Sequence, residues 1–187
     1  VKKVIIGSSA LVGVAAISAV IWWYLPKYEA NQHAVSIAKS KPPSIDLTPI
    51  ENTVTHLRDR IDADTGFAQM DLLSSGDSYG WSLPLQDGEL VQGPNELESE
   101  IGKCVAPDDV KKKLQADVSN LKRLYEVAAQ EHNAKDYKDG AQALKYYHRV
   151  TEDMNFYITN QGEHYEVSHI LGGYQTVESF INAHLDH

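Results

Sequence analysis

From Val4 to Leu25 the chain reads VIIGSSALVGVAAISAVIWWYL, 22 residues without a charge or a proline. As a helix rising 1.5 Å per residue it would be about 33 Å long, enough to cross a hydrocarbon core of about 30 Å. Lys2 and Lys3 precede the run. Trp22, Trp23 and Tyr24 close it, where amphipathic rings favour the lipid–water boundary. The expectation is a short cytoplasmic tail at residues 1–3, a single N-terminal transmembrane helix at 4–25 in contact with membrane lipid, and an extramembrane domain tied beside the bilayer.

A cleavable signal peptide begins in the same way, with Val14-Ala15-Ala16 as a small-residue cleavage site. Against cleavage, the apolar run continues from Ile17 to Leu25, past the usual signal core of about 7–15 residues. The lysines on either side of the run nearly balance in the positive-inside count. The Lys-Lys start resembles a start-transfer signal, which favours a cytoplasmic N-terminus and an extracytoplasmic domain, periplasmic in a Gram-negative cell. Ser9 and Gly13 stand at i,i+4, as do Ala15 and Ala19. This small-xxx-small spacing lets two helix backbones approach closely in lipid, so Ser9 and Gly13 are candidate partner-binding residues.

The formal net charge of −9 is unevenly spread. Lys2, Lys3 and Lys27 are the only charges up to residue 27, so residues 28–187 carry 14 basic and 26 acidic groups. An acidic domain of this kind argues against nucleic acid as a partner. Cys104 is the only cysteine, which excludes an internal disulfide and a thiolate zinc cluster. Its expected role is a small buried apolar side chain.

Residues 26–47 read as a tether. Pro26 ends the span, Pro42-Pro43 stiffens the far end, and 22 extended residues would reach roughly 70 Å. Residues 48–106 form an acidic segment with short helices. Thr48-Pro49-Ile50-Glu51 is a helix start with a capping box, and Ile50, Val54, Leu57 and Ile61 recur at helical spacing up to a stop near Gly66. Between 67 and 94 the pattern is irregular. Asp87-Gly88 between WSLPLQ and ELVQ is a tight-turn signal for a small β-hairpin, with Pro84 limiting its first arm to an edge. A short helix is expected from Pro94 to about Cys104.

Residues 107–187 read as an antiparallel helical bundle. Pro107, Asp108 and Asp109 open a long helix whose apolar stripe runs through Leu114, Val118, Leu121 and Leu124 to about His132. A second helix spans about Asp139 to Ile158. A third stripe carries Ile170, Tyr174, Val177, Ile181 and Leu185. Over 156–171, NFYIT and HYEVSHI around Asn160-Gln161-Gly162 also fit a hairpin, but helix is the preferred assignment. The fold class expected is mainly α.

Four groups of residues bear on chemistry. Gly76-Asp77-Ser78-Tyr79-Gly80 fits G-x-S-x-G, which makes Ser78 a candidate nucleophile if a strand-to-helix turn exposes it beside a histidine. Over three residues, Gly76-Asp77-Ser78 also resembles the start of the SGNH esterases and lipases, which implies a serine hydrolase. The late Asp-x-x-His of those enzymes is missing from the tail INAHLDH. Asp62 and Asp64 lie in a run of aspartates before Gly66 and are candidate cation ligands, although the EF-hand spacing is not met. His164 and His169, close to Glu166, are candidate transition-metal ligands, and zinc would need three or four such groups to converge. Tyr146 and Tyr147 cannot both face one core, so this pair is a candidate protein-binding feature.

No cofactor motif or nucleotide loop is present. The function expected is a membrane-anchored extracytoplasmic binding or scaffolding protein, an accessory subunit or assembly factor of a membrane complex or a homo-oligomer. The alternatives are an anchored hydrolase using Ser78 and a metal- or ligand-binding module.

Overall fold

The structure, a computed structural model, describes residues 32–185 apart from 43 and 87. The expected transmembrane helix at 4–25, with Ser9 and Gly13, lies outside the described residues. No described helix is long and apolar enough to cross a membrane.

The protein is mainly helical. Its helices are α1 (32–39), α2 (Thr48–Thr65), α3 (Phe67–Ser75), α4 (Ser78–Gln86), α5 (Glu89–Ile101), α6 (Asp108–Ala134), α7 (Tyr137–Thr159) and α8 (Gln175–Leu185). Among the described residues there is no strand, only an isolated antiparallel bridge between Asp46 and Val105.

The long pair α6 and α7 forms the centre. The apolar stripe of α6 buries Leu114, Val118, Leu121 and Leu124 completely or nearly so. Lys135 ends α6 in the left-handed conformation, its N–H meeting the carbonyls of Glu131 and His132. Asp136 then caps α7 by accepting from the Asp139 N–H. Only these two residues join the helices, so α7 runs back antiparallel along α6. From Val150 to Ile158 every residue of α7 is buried, as expected of a helix surrounded by other elements. The helices α2, α5, α6 and α7 pack in that cyclic order, each on the next, and α8 lies against α6.

Helix α2 buries Ile50, Val54, Leu57 and Ile61 as its spacing predicts. Its start differs from the expected capping box. Leu47 holds the cap position without a side-chain bond, and the Asp46 carboxylate instead accepts from the Thr48 N–H at 3.0 Å.

The hairpin expected around Asp87-Gly88 is not formed. Both flanks are helical, and each helix contains a proline in its interior, Pro84 in α4 and Pro94 in α5. Helix α5 therefore begins before Pro94 rather than at it. A proline lacks the N–H that would bond four residues back. In α5 that leaves the Leu90 carbonyl open, and the buried Tyr147 hydroxyl of α7 donates to it at 2.9 Å. In α4 the Trp81 indole N–H donates to the Leu73 carbonyl of α3 at 2.8 Å, which ties the two short helices together. Tertiary hydrogen bonds thus support what the local sequence disfavours.

The tether expected over 26–47 does not hold across its described half. Ala34 and Ala38 of α1 are buried in the core, and Leu47 is buried as well. The Lys41 ammonium donates to the carbonyls of Tyr157 and Ile158 at 3.2 and 2.9 Å, in the last turn of α7, where orphan carbonyls and the helix dipole favour a cation.

Residues 160–174 form neither the hairpin nor the helix weighed for this stretch. They are an irregular loop, and α8 starts only at Gln175.

Candidate functional site

Helix α2 carries a second stripe beside its apolar one. Thr55, Arg58, Asp62 and Thr65 recur at steps of three and four and face α7, which presents Lys145, His148, Arg149, Glu152 and Asn155. The pairing is antiparallel. Thr55 donates to the Asn155 side chain at 3.2 Å, and seven residues on, Asp62 Oδ1 lies 3.5 Å from His148 Nε2. His148 Nε2 is also 3.5 Å from Glu152 Oε1, one turn along its own helix.

A polar cleft runs between the two helices. Its larger cavity, about 620 Å³, is lined by Asp62, Asp71, Lys145, His148, Arg149 and Glu163 among others. A second cavity of about 390 Å³, lined by Glu51, Thr55, Arg58, Asn155 and Gln161, lies nearer the C-terminal end of α7. The Arg149 guanidinium stands 5.1 Å over the Tyr165 ring. The Tyr165 hydroxyl donates to the Glu163 carboxylate. Burial, and then that carboxylate, push the hydroxyl far above its ordinary value, so Tyr165 stays a neutral donor.

One wall of the cleft is the 160–174 loop, and two buried aspartates hold it. Asp153 Oδ1 accepts from the N–H groups of Tyr165 and Glu166 at 2.5 and 3.1 Å. Asp153 Oδ2 accepts from Val167 and Ser168 at 2.7 and 3.0 Å. Asp117, on α6, accepts from His169 and Ile170 at 2.6 and 3.0 Å. Six consecutive amides, from Tyr165 to Ile170, therefore close on two carboxylates. Both side chains are fully buried. Burial pushes Asp117 well above the usual carboxylate range and raises Asp153, while the amides pull both the other way. To wrap its amides inward the loop takes a left-handed turn at Glu166, and the Glu166 carbonyl comes so close to Gly173 that a Cβ there would sit 1.6 Å from its oxygen.

Comparison with protein-family models, with curated proteins and with solved structures found no match.

Ser78 is the first residue of α4 and is exposed. Its motif serves the helix turn. Gly76, at φ +78°, ends α3 in the left-handed region, and Asp77 accepts from the Gly80 N–H at 2.8 Å to cap α4. The setting is helix–turn–helix, not strand–turn–helix, and among the described residues no histidine is hydrogen-bonded to Ser78.

Asp62 and Asp64 lie two apart on α2, which points them to different sides of the helix. Asp62 faces His148, whereas the buried Asp64 lies 3.5 Å from Arg60. The His164 ring lies on Phe156, and His169 stacks on Tyr174 with its Nε2 3.0 Å from Glu178. Among the described residues no three His, Cys, Asp or Glu side chains are grouped as metal ligands. Tyr147 is fully buried, which removes it from any docking surface, and Tyr146 packs on Phe180 at 5.1 Å between ring centroids.

The residues missed from sequence are Arg149 and Asn155 on the cleft wall and Asp117 and Asp153 beneath the loop, whereas His148 and Glu152 are legible as an i,i+4 pair on one helix. A signal for the aspartates existed. Asp117 sits between Leu114 and Val118 on the apolar stripe of α6, and Asp153 lies three residues after Val150 on that of α7. A carboxylate at such a position must be buried with partners.

Proposed function

We propose that this chain is a binding or scaffolding protein held at a membrane by residues 4–25, an accessory subunit or assembly factor whose helical domain stands on the extracytoplasmic side. The observation that carries the binding role is the α2–α7 cleft. It is concave, it is built on α2, α3, α7 and a loop held by Asp153 and Asp117, and Lys145 and Arg149, one turn apart, line it together with Asp71 and Glu163. A mixed-charge recess on rigid elements suits the polar surface of a protein partner, where charge complementarity sets register and specificity. The membrane role is supported by the length and neutrality of the 4–25 run. Ser78 acts within this proposal as part of a helix junction and has no chemical task.

The test is purification of the full chain in detergent from its native source, beside a Lys145→Glu, Arg149→Glu double variant of unchanged melting temperature. A partner chain that accompanies the wild type and is lost from the variant supports the proposal. A wild-type chain that elutes alone, or a partner retained by the variant, overturns it.

A further inference from the structure

We infer that the side of the domain formed by α1 and the 160–174 loop lies close against the bilayer surface, an inference that rests on the proposed anchor at residues 4–25. The sequence alone allows the domain to stand off by a long tether, and the docking of α1 removes that freedom. Only residues 26–31 separate the apolar run from the first described helical residue. Between Leu25 and Gln32 an extended chain spans at most about 25 Å.

The point where the chain joins the domain is firmly attached. Ala34 and Ala38 are buried, and His33 Nδ1 lies 3.3 Å from Glu166 of the loop. At the other end of α1, Lys41 holds the last carbonyls of α7, and Asp46 pairs with Val105 just before α6. The Lys41 and Asp46 contacts lie where α7 ends and α6 begins, and the His33 contact lies on the loop held by Asp153, less than two turns before the end of α7. The opposite end of the bundle is the Lys135-Asp136 turn. From Ile158 back to Lys138 the α7 axis covers about 30 Å. A tie of this length, fastened at one end of the molecule, leaves the loop side near lipid and the α6–α7 turn away from it. The partner implied is the headgroup layer of the same membrane that holds the anchor, and the loop presents Gln161 to it as an exposed residue.

The experiment uses the full chain in phosphatidylcholine vesicles that contain an acceptor-labelled lipid. A donor dye is attached to Gln161→Cys or to Lys138→Cys, both at exposed positions, while Cys104 is buried and not labelled. The expected result is flotation of the protein with the vesicles and about twofold or more energy transfer from position 161 over position 138, given their separation of about 30 Å along the helix. Flotation with equal transfer, or with more from 138, overturns this inference and leaves the anchor standing. Protein that stays in the aqueous fraction overturns the anchor and the inference with it.

Discussion

The Tyr147 hydroxyl donates to the Leu90 carbonyl at 2.9 Å, and Leu90 is the residue whose helical partner would have been the N–H of Pro94. A side chain on α7 thus supplies the hydrogen that a proline removes from α5. Tyr147→Phe leaves that carbonyl buried without its donor and is expected to cost about 1–3 kcal/mol. Adding Pro94→Ala restores a backbone N–H four residues on, so the double variant should lose less than the sum of the single variants. Urea unfolding of the four proteins measures the coupling. Strict additivity would show that Tyr147 does not compensate for the proline.

The loop depends on Asp153 in a way that replacement of one oxygen should expose. In Asp153→Asn one acceptor becomes an N–H₂ group facing two of the four amides from Tyr165 to Ser168. The expected loss is about 2–4 kcal/mol, with faster hydrogen exchange confined first to 165–168. Asp117→Asn should act the same way at His169 and Ile170. Exchange at these amides that matches the wild type would refute the role assigned to the carboxylates.

His184 gives the domain a pH dependence of known sign. Its Nε2 lies 3.2 Å from Asp139, and its Nδ1 lies 2.7 Å from the Phe180 carbonyl. Burial, the largest influence, lowers its value, but the Phe180 carbonyl and then the Asp139 carboxylate together hold it above the ordinary one. The folded state therefore keeps this proton to higher pH than the unfolded chain. The stability gained is complete below the unfolded value of about 6.5 and is lost as pH rises through the folded value. The melting temperature of the wild type should exceed that of Asp139→Asn at about pH 5.5, with the gap closing by about pH 8. A gap that widens with pH would contradict the assignment.

Asp77 and Ser78 should behave as a cap and its exposed neighbour. Asp77→Ala removes the bond to the Gly80 N–H and is expected to cost about 1 kcal/mol. Ser78→Ala should change stability by no more than about 0.5 kcal/mol. It should also leave background hydrolysis of a panel of esters unchanged. An ester-cleaving rate that disappears with Ser78 would restore the hydrolase alternative.

The apolar stripes of α2, α6, α7 and α8 are legible because burial on one side imposes a period that survives any change in the other residues. The stretch from 67 to 94 is not legible in this way. Gly80, Pro84, Gly93 and Pro94 each argue locally against helix, and what outweighs them comes from distant residues. Gly93 lies where a Cβ would meet Leu57 at 3.0 Å, so its lack of a side chain permits α5 to approach α2. The loop from 160 to 174 is illegible for a related reason. Its amides find acceptors on α6 and α7, the farther of which stands more than fifty residues back. The cleft carries no motif, because its residues are ordinary polar side chains brought together by an antiparallel pairing of α2 and α7.

The stitching of one loop to two different helices makes it a clasp across them. Four of its amides need only Asp153 of α7, but the full set of six is satisfied only where Asp117 of α6 stands beside it. A polypeptide ending at Thr159 would have all the bundle's long helices and yet strand two carboxylates in its interior.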